Sequence, residues 1–444
     1  MARRLVNIDR DTPLLLPPSL QEWIAEDDMA RFVVEAVSLV EESACRVNER
    51  GSGSEQYPPR MMMSLLIYCY AGGVFSSRRI ERATYRDIAA RYITGDTHPD
   101  HDTIAAFRRD NGPLLKACFT RVLALAAQMK LGKVGEIAID GSKVEANAAK
   151  KAMLTKERLD EQIPLLEEKV ARLLEKGAQA DEADAPTKDG HRLPGELART
   201  QKRLEAMRTA MKQLEDKTAQ RAAERQKERA AFDREGLGEL PPPLPDKPGP
   251  QDAIHPHDPD ARLLPMKKGG FAPAYNVQIA VQANPQAPLI VAAAVCTEAC
   301  DRRQLAPMVD LGLAAQPGAT HVHVDTGYDH SMQVYEAEQK HGAVIYCPPQ
   351  VDGREGGKAR RSARRKRTAD FREGMKACMK SERGRGSARL RGTTAEPVFG
   401  WLKHTTGFRR FHLRGLVKVG LEWTLVCLGH NLQLLHRLSL RQAA

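Results

Sequence analysis

Glu136-Ile-Ala-Ile-Asp140-Gly-Ser-Lys-Val-Glu-Ala-Asn147 is the stretch whose reading decides the fold. It opens as a short apolar strand closing on a carboxylate. Alternation along a strand sends Ile137 and Ile139 to one face and Ala138 and Asp140 to the other, and Gly141 is suited to turn the chain out directly afterwards. An Asp at a strand end is most often a turn or cap residue. What gives this one a second meaning is the company it keeps further along the chain.

His321-Val-His-Val-Asp325-Thr-Gly-Tyr328 is another short strand that runs into Asp and then Gly. Arg391-Gly-Thr-Thr-Ala-Glu396-Pro-Val-Phe-Gly-Trp-Leu-Lys403 carries helix punctuation. Thr394 is suited to be an N-cap, and Pro397 is tolerated in a first turn, where its missing N–H would have no partner. Glu396 and Lys403 then lie about two helical turns apart on one face. Two strand-end aspartates and a helix-borne glutamate are a donor set for a hard divalent cation, Mg²⁺ or Mn²⁺. A pair of such ions serves phosphoryl transfer.

The chain has 444 residues, room for two or three domains, and a formal net charge of +11. With a pI near 9.2, it is expected to meet a polyanion, nucleic acid or an anionic membrane surface. No apolar run reaches the roughly eighteen residues of a membrane span, and Met-Ala-Arg-Arg-Leu-Val-Asn-Ile-Asp9 lacks a signal peptide's apolar run. An intracellular protein is expected. The eight cysteines are scattered, as reduced core thiols are. A zinc site joining Cys296 and Cys300 to His321 and His323 has the right cysteine spacing. Its His-x-His pair does not fit a finger, so core thiols and half-exposed histidines are the expectation.

Residues 1–130 read as mainly helical. Met61 to Tyr70, after Pro58-Pro59, is apolar nearly all round and is expected as a buried core helix. Ser76-Ser-Arg78-Arg79-Ile-Glu81 opens a helix with arginines at 78, 79, 82, 86 and 91, and Gly95 to Thr103 breaks the pattern before a further short helix. This fits a helix-turn-helix-like DNA reader and equally an ordinary bundle with a solvated basic face. In residues 151–235, Leu159, Ile163, Leu166, Val170 and Leu173, and then Leu204, Met207, Met211 and Leu214, recur at intervals of four and three. A polar connector, Gly177 to Gly190, separates them. An antiparallel hairpin and a dimerising coiled coil give the same pattern. Residues 236–265, rich in proline, are expected as an extended linker. Strands at 275–282, 289–296 and 343–347 and helices at 302–313 and 331–340 complete an α/β domain with 136–140, so the hairpin is an insertion in it. Lys358 to Arg367, with Arg364, Arg365, Lys366 and Arg367, holds seven cations in ten residues. Such a run repels itself and is expected to order on meeting an anion such as DNA backbone. The end of the chain reads as an apolar helix, 417–438, packed on the sheet.

Taken together these motifs resemble the DDE transposases of bacterial insertion sequences. The resemblance rests on Asp140-Gly-Ser-Lys-Val-Glu-Ala-Asn147, Asp258-Pro-Asp-Ala-Arg262, Gly269-Gly-Phe, Tyr275-Asn-Val-Gln278, Asp325-Thr-Gly-Tyr328, Glu396-Pro-Val-Phe-Gly-Trp-Leu-Lys403, Gly407-Phe-Arg-Arg-Phe and Arg414-Gly415. Upstream, Tyr57-Pro-Pro and Pro99-Asp-His-Asp-Thr-Ile resemble that family's N-terminal domain. Gly386-Ser-Ala-Arg-Leu390 lacks the tyrosine that related sequences often carry before the arginine. The resemblance implies an RNase H-like catalytic domain, 131–150 with 266–444, in which Asp140, Asp325 and Glu396 are catalytic and hold two Mg²⁺ or Mn²⁺ ions. It implies a helical N-terminal domain, 1–130, that binds terminal inverted repeats. Arg391 and Lys403 would contact DNA beside the scissile phosphate. The implied activity is cleavage of element ends and strand transfer into target DNA, by a homodimer on paired ends in the bacterial cytoplasm. An RNase H-like nuclease that cleaves without joining, and a noncatalytic DNA-binding protein, are the alternatives.

Overall fold

Short polar caps cut the N-terminal part into helices. The structure is a computed structural model that describes residues 19–41, 43, 55–130, 135–182, 193–234, 242–267, 269–349 and 363–443. Asp28 accepts the Ala30 N–H and opens α1, Met29–Ser38. Pro59, at a position needing no donor, opens α2, Pro59–Ala71. α3, Ser77–Arg86, stops at Asp87, whose carboxylate accepts from Ala89 and Ala90 and so starts α4, Ile88–Thr94. Asp100 caps α5, His101–Asp110, and α6, Gly112–Gln128, follows. As its composition requires, α2 is buried along nearly its whole length. Arg108 is structural: it is buried, with Nη1 donating to the Tyr70 hydroxyl and the Phe75 carbonyl. Arg78, Arg79, Arg82 and Arg86 line an exposed face of α3 beside exposed Tyr85.

β1, Glu136–Glu145, does not end at Asp140. It is followed by β2, Leu154–Thr155; α7, Lys156–Glu182; α8, Leu193–Arg234; β3, Ala253–Ile254; β4, Arg262–Pro265; β5, Phe271–Gln282; and β6, Ile290–Cys296. β5 pairs antiparallel with β1 from Ile137↔Gln282 to Glu145↔Ala274, and this ladder carries the strand past Gly141. The expected turn at Gly141 is therefore absent. Next come α9, Leu305–Ala315; β7, His321–His323; α10, Ser331–His341; β8, Val344–Tyr346; α11, Ala363–Lys380; α12, Glu382–Gly400; and α13, Leu416–Ala443. β7 lies parallel to β1 and β8 parallel to β7, while β6 and β4 both pair with β5. The sheet order is β4-β5-β1-β7-β8. Gly312 of α9 lies against Ile137 and Ala280 on one face. The Trp423 indole of α13 donates to the Gln278 carbonyl of β5 at 3.1 Å.

The heptad residues of α7 and α8 meet in one cluster: Leu159, Leu166, Leu204, Met207, Ala210 and Leu214, with Ile163, Val170 and Met211 at its edge. Glu167–Arg208 and Lys169–Glu196 ion pairs run in opposite numerical order, which makes this an antiparallel hairpin within one chain. The helix continues through residues 177–182, which the sequence suggested as connector; 183–192 lie outside the described residues. The segment 236–265 is not merely an extended linker. β3 closes the base of the hairpin against β2, and β4 joins the main sheet. The reason is Asp258, fully buried, which accepts from the Tyr275 hydroxyl and the Gly415 N–H. Thr394 is not an N-cap either. Ser381 caps α12, and Thr394 lies far inside it with its hydroxyl turned back to the Leu390 carbonyl. Pro397 is thus an interior proline, and the helix passes into a π-turn at Trp401–Thr405.

The described chain divides into two units, Met1–Lys130 with Leu428–Ala444, and Leu131–Cys427. The end of α13 thus falls with the helical unit, whereas the sequence placed it in the α/β domain.

Candidate active site

Three separate parts of the chain bring their charges together. β1 supplies Asp140, the loop after β7 supplies Asp325, and α12 supplies Arg391 and Glu396. The Arg391 guanidinium stands 3.6 Å from Asp140 Oδ2 and 3.0 Å from Glu396 Oε1, bridging residues far apart in sequence. Asp140 is nearly enclosed, its side chain 13% exposed, while Glu396 is 55% exposed. Burial, the largest influence, pushes the Asp140 carboxyl up to about 6. Arg391 and the Gly141 N–H, which donates to Oδ1 at 2.8 Å, pull it down, and Asp325 and Glu396 add to the rise.

Asp325 caps a single 3₁₀ turn, Thr326–Tyr328, by accepting the Gly327 N–H at 2.7 Å. Tyr328 is fully buried at the end of that turn, and its hydroxyl donates to Gln278 Oε1. Burial, followed by the charges of Asp301, Asp140 and Asp325, pushes its pKa well above the ordinary tyrosine value. Lys403, in the π-turn, donates to Ser142 Oγ and to the Lys143 carbonyl at 2.9 Å. Burial lowers its pKa to about 8, with Lys267, Lys143 and Arg409 adding to the fall and Asp140 opposing it. Lys403 is therefore seated on β1 beside Asp140, partly buried and already bonded.

His323 does not serve a zinc site. It is buried, not half-exposed, and both ring nitrogens are engaged, Nδ1 with Ser387 of α12 at 2.7 Å and Nε2 with Glu136 of β1 at 3.0 Å. These bonds tie the helix of Glu396 to the strand of Asp140. Burial holds the His323 pKa below the ordinary value. Arg78 and Arg79 belong to the helical unit. Of the basic run, residues 358–362 lie outside the described residues. Arg364, Arg365, Lys366 and Arg367 fall at the start of α11, so that this part of the run is helical rather than irregular.

Sequence reasoning missed Asp301. Its Oδ1 accepts from Asn276 and Gln278 and stands 3.6 Å from Lys143. The available signal is Asn276 and Gln278, neighbouring amides on one face of a mostly apolar strand, since buried amides require partners.

The donors Asp140, Asp325 and Glu396 suit a hard divalent cation in kind, all being carboxylates. The Arg391 guanidinium already occupies a cationic position between two of them. In this arrangement no three His, Cys, Asp or Glu side chains among the described residues converge closely enough to hold a metal ion. Glu396 is turned to Arg391.

Two family profiles match the chain. One, described as Transposase DDE domain, matches residues 325–436 and so begins at Asp325 and includes Glu396. The other, described as Transposase domain (DUF772), matches residues 18–110. No curated protein and no solved structure matches. Asp140 lies outside both matches and joins the site through its geometry.

Proposed function

We propose, for a chain that belongs to the DDE transposases of insertion sequences, that it binds the terminal inverted repeats of an element, cuts at the element's ends and joins them to target DNA. The observation that carries this reading is the bridge from Asp140 through Arg391 to Glu396, with Asp325 adding its charge to the same site. The sheet supports an RNase H-like catalytic domain: a long antiparallel β1–β5 pair, with β7 and β8 added parallel on the other edge of β1.

Asp140, Asp325 and Glu396 would hold Mg²⁺ or Mn²⁺, two ions per site. When bound, the ions supply an activated nucleophile and stabilise the leaving oxygen in two successive in-line displacements at phosphorus. Asp140 is the fixed donor, held by the Gly141 N–H and by the β5 ladder that carries β1 past it. Glu396 is the mobile one, free to leave Arg391 because it is half solvated. Arg391, once released, is the cation placed to meet a scissile phosphate. Lys403 and Lys143 extend the positive surface along β1.

In the helical unit, the exposed face of Arg78, Arg79, Arg82 and Arg86 is the reader or backbone contact for the element's end. Arg364, Arg365, Lys366 and Arg367 of α11 hold duplex backbone. Two ends require two active sites, so the acting form is a homodimer on paired DNA. No described helix is long and apolar enough to cross a membrane, and the proposed place of action is the cytoplasm, on the nucleoid.

A pre-cut end with a free 3′-hydroxyl, offered with supercoiled plasmid and Mn²⁺, separates transposase from nuclease. Wild type should yield end–plasmid joints and Asp325→Asn none. Cleavage of uncut ends with no joint from pre-cut ends would overturn the transferase part of the proposal.

A further inference from the structure

Asp301 precedes the short turn Arg302–Gln304 and takes no part in the chemistry described above. Its Oδ1 accepts Asn276 Nδ2 at 2.6 Å and Gln278 Nε2 at 2.7 Å. Both amides are fully buried on one face of β5. A carboxylate can only accept, so both amides must present their nitrogens to it. Gln278 uses its other N–H toward Asn276 Oδ1 at 3.2 Å, and its oxygen is thereby left to accept the Tyr328 hydroxyl. Tyr328 closes the turn that Asp325 caps. One directed chain thus runs from the Asp325 turn, through Tyr328 and Gln278, to Asp301.

The same carboxylate also lies near a glycine that follows each aspartate, tightly at Gly141 and in ordinary contact range at Gly327. A Cβ at Gly141 would meet Gln278 Nε2 at 2.5 Å and Asp301 Oδ1 at 2.8 Å. A Cβ at Gly327 would meet Asp325 Oδ1 at 2.8 Å and Asp301 Oδ2 at 3.6 Å. Asp301 is therefore packed against both the residue that follows Asp140 and the turn that carries Asp325. Its Oδ1 also lies 3.6 Å from the ammonium of Lys143, three residues along β1 from Asp140.

We propose that Asp301 is a positioning residue, which through Gln278 and Tyr328 fixes the turn bearing Asp325 relative to the strand bearing Asp140. Its consequence for catalysis rests on the transposase reading above; the hydrogen-bonded chain itself does not. Asp301→Leu, of similar size, removes the oxygen that accepts both amides and frees Gln278 to rotate away from Tyr328. Asp301→Asn keeps one oxygen able to accept from both and is the conservative variant.

The test uses the full-length chain and two readouts. Hydrogen exchange across residues 325–330 is followed without metal or DNA, and kcat and KM are measured on a labelled element end with Mn²⁺. Asp301→Leu is expected to speed exchange in that segment and to lower kcat by about tenfold to a hundredfold, the scale of a small misplacement of a reacting group. KM for DNA should hold, and Asp301→Asn should keep protection and kcat to within about threefold of wild type. Tyr328→Phe, which cuts the chain at its other end, should copy the exchange defect. Unchanged exchange in Asp301→Leu, or an Asp301→Asn variant as impaired as Asp301→Leu, would overturn the proposal. So would a defect that merely tracks loss of folded protein by thermal melting. If wild type cleaves nothing, the transposase reading fails, and the exchange experiment still decides the role of Asp301.

Discussion

The Asp140 carboxyl, pushed up to about 6 mainly by its burial, ties stability to pH in a definite direction. An acid whose pKa is higher in the folded chain than in the unfolded one holds its proton longer when folded. The metal-free protein should therefore lose stability as pH rises from about 4 to about 6 and change no further through this group above that. The loss is at most roughly 3 kcal/mol. Asp140→Asn cannot titrate, so denaturant unfolding in chelator should show the wild type falling below the variant across that window. A difference constant from pH 4 to 7 would contradict the burial argument. Arg391 gives a second expectation. Any ion entering between Asp140 and Glu396 must displace its guanidinium, and a pair whose glutamate is half solvated is worth under about 1 kcal/mol. Arg391→Ala should bind Mn²⁺ up to about fivefold more tightly by calorimetry, while its cleavage rate falls. Weaker Mn²⁺ binding would mean that Arg391 organises the carboxylates and does not compete for them.

Among the elements, α3 and the hairpin carry predictions of their own. Arg78 and Arg79 project from one exposed face, and each phosphate contact adds roughly 0.9 to the slope of log affinity against log salt. Arg78→Ala with Arg79→Ala should therefore lower the slope for end binding by about 2, and an unchanged slope would return α3 to an ordinary solvated face. Leu159 is fully buried at the hairpin seam. Leu159→Ala should cost about 2–5 kcal/mol of local stability. It would be seen as faster hydrogen exchange in α7 and α8 with the main sheet still protected. Exchange that rises everywhere would show that the hairpin and sheet unfold as one. Periodicity made these elements legible: the heptad seam, the apolar α2 and the alternating strands were all readable. Their ends were less so. β1 continues past Gly141 because β5 pairs with it, and α12 starts at Ser381 and runs through Thr394 and Pro397, since distant partners and an earlier cap outweigh local punctuation. The strands inside 236–265 were hidden because their partners lie elsewhere in the chain.

For the whole molecule, a net charge of +11 suits a polyanionic partner, and two profiles of transposase domains cover its two ends. Three carboxylates could be picked from the sequence because each lies in a strand, just after one or on a helix, within a recognisable motif. The Arg391 bridge between Asp140 and Glu396 could not, and neither could Asp301, whose part depends on two amides of β5 and on its close approach to Gly141. The central claim is that Asp140, Asp325 and Glu396 form one metal-dependent site for cutting DNA. The most direct measurement is cleavage of a labelled duplex bearing the element's own end, with Mg²⁺ or Mn²⁺, by wild type and by Glu396→Gln, with binding to the same duplex measured alongside. Metal-dependent nicking at the element boundary by wild type, lost in Glu396→Gln while end binding persists, is the predicted result. Equal nicking by both proteins would contradict the claim.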